Sequence, residues 1–361
     1  MSTLDPVAAA ARDVKRANAA GHATGGAVAH RASPVWVVGL VAALAWAAFG
    51  SLTLTRVWPN HVVGFSDWAY TDELGAGVLA IALLLAIVGV VLPAVERRAS
   101  APTLRRATAA LRRAGPWLVA VPLALAAWEV LTAKTAFLPT PFFGPPQALI
   151  EVYHDDWPRL LDSAVHSLAL LAIGFLYGGV AGFLIGVSIG WSRAIGYWVH
   201  PVLRVLGPVP ATALLPLAFY VFPSSHAAAV FLIALATGFP VAVLTWSGVA
   251  SVSKAYYDVA RTLGANAHFL VLRVAIPAAL PQVFVGLFMA FGASFTVLVT
   301  AEMMGVKSGL GWYLTWAQGY AAYANMYAAL IVMAVLFSSL ITLLFSVRDR
   351  ALVWQKGTVK W

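Results

Sequence analysis

The residues of this 361-residue chain that could carry out chemistry are few and widely spaced. Gly305-Val306-Lys307-Ser308 ends like a phosphate-binding loop but lacks the earlier glycine that such a loop requires. The eight histidines include no pair four residues apart, and there is no cysteine, so neither a metal site nor thiolate chemistry is expected. Since no nucleophile–base pair is visible either, the sequence predicts that this chain is not an enzyme.

Two carboxylates, Glu129 and Glu302, fall beside long apolar runs. Carboxylates at membrane depth are functional candidates, although both lie near predicted outer ends, where Glu302 could equally cap the irregular segment that follows it. Pro208, Pro210 and Pro216 interrupt another apolar run, His200–Phe222. The carbonyls that prolines free at membrane depth need protein or water as neighbours. We therefore take Glu302 and these three prolines as candidates for lining a translocation path.

A polar segment, Asp258–Pro277, lies between two long apolar runs and has the residue spacing of a helix. Small and apolar residues recur every three or four positions, and we predict a helix over about 254–276. Gly264 inside this helix would cost about 1 kcal/mol relative to alanine, which suggests that another surface approaches closely there. An ordinary interfacial loop helix would show the same pattern.

The elements that must position these residues are membrane spans. Apolar residues make up 61% of the chain and charged residues 10%, against about 45–50% and 25% in soluble domains. We therefore predict an all-α polytopic membrane protein with spans near the ~20 residues that a bilayer requires. The eight predicted spans are about Val35–Leu54, Leu74–Val95, Trp117–Leu131, Ser163–Gly190, His200–Phe222, Ala227–Val249, Ala278–Thr300 and Met326–Val347.

The spans divide the chain into segments of different character. We predict a disordered cytoplasmic tail (1–33), an extra two-helix hairpin (34–95), a basic cytoplasmic linker (96–115), a six-helix core (116–350) and a second cytoplasmic tail (351–361). With the N-terminus inside, 19 of the 23 lysines and arginines fall on the cytoplasmic side, as the positive-inside rule expects. The net charge of +9 then reflects the membrane topology and contact with anionic lipid rather than the binding of nucleic acid.

The fourth predicted span carries five glycines at four-residue spacing. A regular ridge of small residues allows a second helix to approach at backbone distance, so we predict a helix-packing surface. The ridge consists of Gly174, Gly178, Gly182, Gly186 and Gly190.

Several short motifs occur in one order along the second half of the chain. Asp258-Val259-Ala260-x-x-x-Gly264, followed after nine residues by Val274-Ala275-Ile276-Pro277, resembles the EAA loop of ABC-importer permeases. Further stretches resemble the nitrate/sulfonate/taurine-type branch of these binding-protein-dependent permeases: Ala301-Glu302-Met303-Met304-Gly305, Ser308-Gly309-Leu310-Gly311, and Gly207-Pro208-Val209-Pro210.

The resemblance implies the type I ABC-importer permease fold, with six core transmembrane helices and, in this chain, two extra N-terminal ones. It implies an inner-membrane permease subunit, working as a homodimer with a cytoplasmic ATPase dimer and a periplasmic solute-binding protein. ATP and Mg would bind the partner ATPase, and no cofactor or metal is expected on this chain. Asp258 stands where the family has glutamate. The implied ATPase-coupling residues are Asp258, Ala260, Arg261, Leu263, Gly264, Ala267 and Pro277.

For the transported solute, the resemblance implies a small anion such as a sulfonate, taurine or nitrate. A permease for an uncharged vitamin precursor is an alternative within the same family. An ion-coupled secondary transporter is an alternative outside it, but it would need paired intramembrane charges and an inverted repeat. Neither feature is visible in the sequence.

Overall fold

The computed structural model describes residues 35–61, 68–98, 101–207 and 209–355. The predicted tail 1–33 and most of the predicted tail 351–361 lie outside these residues. The regular structure within the described ranges is helical. The helices are α1 (Val37–Thr53), α2 (Thr71–Arg98), α3 (Pro102–Glu129), α4 (Pro146–Asp155), α5 (Trp157–Trp191), α6 (Arg193–Leu206), α7 (Leu215–Val221), α8 (Ser225–Ala250), α9 (Lys254–Thr262), α10 (Ala267–Phe269), α11 (Ile276–Met304), α12 (Leu310–Gly319) and α13 (Tyr323–Ala351).

Six segments of the described chain are long and apolar enough to span a membrane, and a bent pair of helices makes a seventh. This agrees with the predicted polytopic all-α class. Helix α1, with 17 residues, is shorter than the predicted span Val35–Leu54. The long segments are Thr71–Arg98, Pro102–Lys134, Trp157–Trp191, Ser225–Ala250, Ala267–Met304 and Tyr323–Ala351.

The chain forms two compact units. The first contains residues up to Val57 together with Asp72–Ala126, and the second contains Trp58–Thr71 together with the chain from Ala127 onward. The first unit therefore holds three helices, α1, α2 and most of α3, where we expected a two-helix hairpin. The Trp46 indole N–H donates to the Leu118 carbonyl oxygen at 2.9 Å, which ties α3 to α1.

The basic segment 96–115 is mostly helical rather than a separate linker. Helix α3 begins at Pro102, because the fixed φ of proline suits a first helical turn and its missing N–H is not needed there. The helix then continues through Gly115, where an added Cβ would lie 3.1 Å from the Trp36 ring. Helix α3 is therefore continuous across the predicted boundary at 116.

The core of the second unit is built around α8, which packs against both α5 and α11. Leu232, Ile233 and Val241 of α8 are completely buried. A second cluster joins α4, α12 and α13 around Tyr313, which is also completely buried. These two clusters hold the long helices in fixed relation around the sites described below.

The proline-rich fifth span is broken. Helix α6 and the segment Ala211–Val221 are bent by 84° relative to each other, where the sequence predicted one span over His200–Phe222. Pro210 precedes a short 3-10 turn, Ala211–Leu214, and Pro216 lies in the first turn of α7. Proline has no N–H to continue a helix, so the chain changes direction at this point. Pro208 lies outside the described residues.

Candidate coupling segment and translocation cavity

The polar segment between α8 and α11 consists of two short helices instead of the single helix predicted over 254–276. Helix α9 ends at Thr262, and Gly264 follows with φ of 84°. The N–H of Ala265 donates to the Ala260 carbonyl at 3.0 Å, and the N–H of Gly264 donates to the Arg261 carbonyl at 2.9 Å. This pair of bonds is a Schellman motif, which needs a left-handed residue that glycine adopts without steric cost.

The next helix starts immediately after this turn. The Asn266 side chain accepts a hydrogen bond from the Phe269 N–H at 2.9 Å and so caps α10. A π-helical turn, Leu270–Ala275, then leads into α11, with Pro277 in its first turn. Gly264 therefore provides a backbone turn. A Cβ built on it would meet nothing within 4 Å, so the expected close approach of another surface is not seen within this chain.

One face of α9 exposes apolar side chains. Tyr256, Val259 and Leu263 are 64%, 61% and 83% exposed, and their spacing of three and four residues places them side by side. Asp258 and Arg261 form an exposed ion pair with 3.6 Å between Oδ1 and Nη1. No residue of α9 is buried. A contiguous exposed apolar stripe of this kind marks an interaction surface.

Tyr257, on the opposite side of α9, connects this helix to the core. It packs against the buried cluster of Val249, Ala275 and Ala279. The centroid of its ring lies 6.0 Å from the centroid of the Trp191 ring at the end of α5. Partial burial raises the pKa of the Tyr257 hydroxyl above its ordinary value. A displacement of α9 would therefore act on the ends of α5, α8 and α11 together.

A groove of about 430 Å³ lies beside the Gly264 turn. Asn266, His268 and Arg273 supply its polar side chains, and Phe269 and Leu272 supply its apolar ones. Of the seven predicted coupling residues, Gly264 lines this groove, and the apolar stripe lies nearby. The segment offers both a ridge and a recess to a partner.

A larger cavity of about 760 Å³ lies between α5, α8, α11 and the broken fifth span that begins with α6. Its lining is almost entirely apolar, with Thr212 and Thr296 among its few polar side chains and no charged residue among the described ones. Pro210 contributes to the lining, but Pro216 and Glu302 do not. Of the three described candidates for a translocation path, Pro210, Pro216 and Glu302, the structure therefore places one in this cavity.

A comparison with known proteins assigns these features to a family. The family model described as the inner-membrane component of binding-protein-dependent transport systems matches residues 178–352, a range that contains the coupling segment and most of the cavity. Residues 178–352 of the chain belong to this family. The chain is a permease subunit of an ABC importer and a multi-pass protein of the inner membrane.

Named relatives of the permease differ in their solutes. The nitrate import permease protein NrtB of Synechococcus elongatus is 29% identical over 66% of this chain and 87% of its own length. The putative aliphatic sulfonates transport permease protein SsuC of Bacillus subtilis is 34% identical over 47% of this chain and 61% of its own. The bicarbonate transport system permease protein CmpB of Synechococcus elongatus is 30% identical over 53% of this chain and 66% of its own.

Among solved structures, a chain of the inward-facing MetNI methionine ABC transporter has a TM-score of 0.45 and 19% identity, covering 53% of this chain and 94% of that one. A likeness this distant adds nothing to the family match.

The glycine ridge of the permease lies against α8. A Cβ at Gly186 would be 2.6 Å from the Ala242 carbonyl oxygen, and a Cβ at Gly190 would be 2.6 Å from the Val249 Cβ. The other three positions face α8 equally closely. The ridge residues, at Gly174, Gly178, Gly182, Gly186 and Gly190, each meet a residue of α8. The helices therefore pack with backbone against backbone along about four turns.

Glu302 is completely enclosed at the end of α11 and holds the start of α12. Its carboxylate accepts hydrogen bonds from the Ser167 hydroxyl at 2.7 Å and from the Gly311 N–H at 2.8 Å. The Ser167 oxygen in turn accepts the Leu310 N–H at 2.8 Å. Gly309 has φ of 97°, and a side chain there would collide with the carboxylate. Glu302 thus caps the segment that follows it, the alternative role left open by the sequence.

Two parts of this arrangement were missed by sequence reasoning. Ser167 lies 135 residues from Glu302, and no local pattern distinguishes it from other serines in membrane helices. The expected irregular segment over Glu302–Ala324 contains the ten-residue helix α12. The N-cap position of α12 is Gly309, and Leu310 and Gly311 follow it. A glycine-rich start of this kind does not predict a helix unless the capping role of the Glu302 carboxylate is known.

The second carboxylate, Glu129, also lies in a buried polar group. Its Oε1 is 3.9 Å from the Lys134 ammonium and 3.4 Å from the Gln147 amide nitrogen. Lys134 also donates to the Trp58 carbonyl at 2.7 Å and to the Asn60 side-chain oxygen at 2.8 Å. Glu129 and Lys134 therefore hold residues 58–61 in place within the second unit, and neither side chain lines the large cavity.

Proposed function

We propose that the permease imports a small anionic solute and is driven by a separate ATPase that docks on α9 and the Gly264 turn. The observation that carries this proposal is the exposed apolar stripe of Tyr256, Val259 and Leu263 beside the 430 Å³ groove. A helix with this exposed face needs a partner to cover it. The EAA-type motif spacing supports the ATPase as that partner.

The remaining partners follow from the family. The transport systems of this family depend on a solute-binding protein, and we propose that such a protein delivers the solute on the outer side. The second permease copy would complete the translocation path as a homodimer, and ATP with Mg would bind on the ATPase dimer. The charge distribution favours cytoplasmic termini, and with that orientation α9 would lie on the same side as the ATPase.

Coupling would then proceed through Tyr257. Closure of the ATPase pair on ATP would move α9, and the packing of Tyr257 against Trp191 and the Val249 cluster would pass this movement to α5, α8 and α11. Because the glycine ridge joins α5 and α8 at backbone distance, these two helices would move as one body. The switch between inward- and outward-open states is a change of conformation that requires no covalent step on this chain.

The class of solute rests on the relatives named for nitrate, aliphatic sulfonates and bicarbonate, all of which are anions. The cavity lining contains no cationic side chain among the described residues. Selection of the anion would therefore rest mainly with the binding protein. The apolar lining favours a second candidate, the import of an uncharged organic solute, because an apolar cavity offers such a solute better contacts than a hydrated anion.

The docking proposal is tested with Leu263→Asp and the neighbouring control Thr262→Ala. Each permease is co-expressed with its ATPase, and we measure co-purification, ATPase stimulation by the loaded binding protein, and solute uptake. Leu263 is 83% exposed, so its replacement should leave the thermal stability of the isolated permease unchanged. Placing a charge in an apolar docking site should lower ATPase association at least tenfold, roughly 1.4 kcal/mol or more.

Thr262 is exposed, and its hydroxyl bonds only to the Val259 carbonyl of its own helix turn, so Thr262→Ala should behave like the wild type. Full association and full uptake by Leu263→Asp would refute docking at this face. Uptake of labelled nitrate, bicarbonate, an alkyl sulfonate and an uncharged control by the reconstituted importer then separates the two solute classes. Uptake of only the uncharged compound would contradict the anion proposal.

A further inference from the structure

A dense basic corner lies where α2 ends and α3 begins, in the part of the permease outside the region matched to the family. We use the term basic corner for Arg97, Arg98, Arg105, Arg106, Arg112 and Arg113, all of which are exposed. Glu96 is the one acid between residues 96 and 115, so this segment has a net charge of +5.

The basic corner has a defined geometry. The Arg112 guanidinium binds both oxygens of Glu96, with Nε–Oε1 and Nη2–Oε2 distances of 2.7 Å. A bidentate pair of this kind fixes orientation as well as distance, and it joins the last turn of α2 to the third turn of α3. Arg105 and Arg112, like Arg106 and Arg113, are seven residues apart and so lie on nearly the same side of α3.

The length of α3 places these arginines relative to the membrane. The apolar segment Pro102–Lys134 has 33 residues, which at 1.5 Å per residue is about 50 Å, against about 30 Å of hydrocarbon. About 13 residues therefore extend beyond the hydrocarbon, and the four arginines of α3 all lie within its first 12 residues. Trp117, which is 73% exposed, follows one turn later, and exposed tryptophan is typical of the membrane–water interface.

The arginines nearest Trp117 lie at the level of lipid phosphates. Arg113 is four residues from Trp117, or about 6 Å along the helix axis, and the headgroup layer is about 5–8 Å thick on each side. The Glu96–Arg112 pair brings the end of α2, with Arg97 and Arg98, to the same depth. Positive charges from two helices therefore meet in the layer that holds phosphates.

We propose that the basic corner is a binding surface for anionic phospholipid headgroups. Guanidinium groups match phosphate oxygens in a bidentate manner, and two adjacent helix ends provide several such groups for one or two phosphates. The corner thereby anchors the N-terminal three-helix unit to anionic lipid. This role is independent of the solute and of the ATPase.

The test compares Arg97→Gln/Arg98→Gln with Arg348→Gln/Arg350→Gln in the full-length permease. The two pairs are matched, because each contributes two arginines to the last turn of a long apolar helix. The purified proteins are titrated with phosphatidylglycerol and with phosphatidylcholine. Binding is followed by native mass spectrometry and by the shift in unfolding temperature. A third variant, Arg97→Lys/Arg98→Lys, keeps the charge.

We expect the wild type to bind phosphatidylglycerol more tightly than phosphatidylcholine. Each basic residue near the surface contributes about a fivefold change in affinity, so the loss of two should weaken phosphatidylglycerol binding about 30-fold. The lysine variant should bind phosphatidylglycerol more weakly than the wild type but more tightly than the glutamine variant, because it keeps the charge and loses the bidentate geometry. The matched control should lose little. Equal binding of both lipids by the wild type, or equal losses in both glutamine variants, would overturn the proposal.

Discussion

Replacing single glycines of α5 by alanine tests the packing of the ridge most directly. Gly186 and Gly179 lie two turns apart within the same membrane-spanning helix, α5. At Gly186 a Cβ would lie 2.6 Å from both the Ala242 carbonyl oxygen and the Thr245 Cβ. At Gly179 its nearest neighbour is the Leu287 Cδ2 at 3.6 Å, an ordinary contact.

The expected size of the effect follows from these distances. To bring the Gly186→Ala contact from 2.6 Å to about 3.4 Å, α5 and α8 must separate by about 0.8 Å. Ala242 and Thr245 are 1% and 0% exposed, so neither can move aside freely. Overpacking of this kind costs about 1–3 kcal/mol. Alanine also gains about 1 kcal/mol of helix propensity over glycine, but this gain is the same at both positions.

The difference in unfolding free energy between the two variants therefore isolates the effect of packing. We expect Gly186→Ala to be about 1–3 kcal/mol less stable than Gly179→Ala, and Gly179→Ala to be at least as stable as the wild type. Unfolding is best followed by intrinsic fluorescence, because the chain has 14 tryptophans and no cysteine for a thiol-reactive dye. Equal unfolding temperatures for the two variants, or a Gly186→Ala variant above the wild type, would refute backbone-distance packing along the ridge.

Two further predictions concern single residues that fix the junctions between helices. Glu302→Ala leaves the Ser167 hydroxyl and the Gly311 N–H without their buried acceptor, so we expect a loss of about 3–5 kcal/mol, measured by thermal unfolding. The exposed control Glu73→Gln should change stability little, and a Glu302→Ala variant as stable as that control would show that the carboxylate does not hold α12. Gly264→Val should impair ATPase coupling because φ is 84°, whereas Gly264→Asn, which tolerates the left-handed region, should retain most of it. Similar ATPase stimulation by both variants would contradict the turn as the reason for this glycine.

The sequence already contained the signals for part of the coupling segment. Leu263-Gly264-Ala265-Asn266 is a C-terminal glycine followed by a good N-cap residue, the usual junction of two helices. The helical spacing of apolar residues on both sides of this junction concealed it and led to the prediction of one continuous helix. The position of Asp258 was predictable as well, and its exposed pairing with Arg261 follows from their spacing of three residues within α9.

The N-terminal region could be predicted only in part. Apolar runs indicated α1, α2 and α3, but nothing in a single run says which other run it packs against. The bond between Trp46 and Leu118 and the close approach of Gly115 to Trp36 decide that α3 joins the first two helices. Proline density correctly indicated an interruption of the fifth span, although its direction of bending depends on the helices around it.

The sequence by itself determined the membrane class, the glycine ridge, and the family, because apolar length, four-residue spacing and motif order are properties of local sequence. The tertiary structure alone decided that the ridge faces α8, that Glu302 is enclosed by Ser167 and α12, and that the cavity is lined by Pro210 but not by Pro216. These outcomes depend on partners far away along the chain. A local pattern sets which backbone geometries a segment can adopt, while the free energy of burial selects the partner only once the helices have packed.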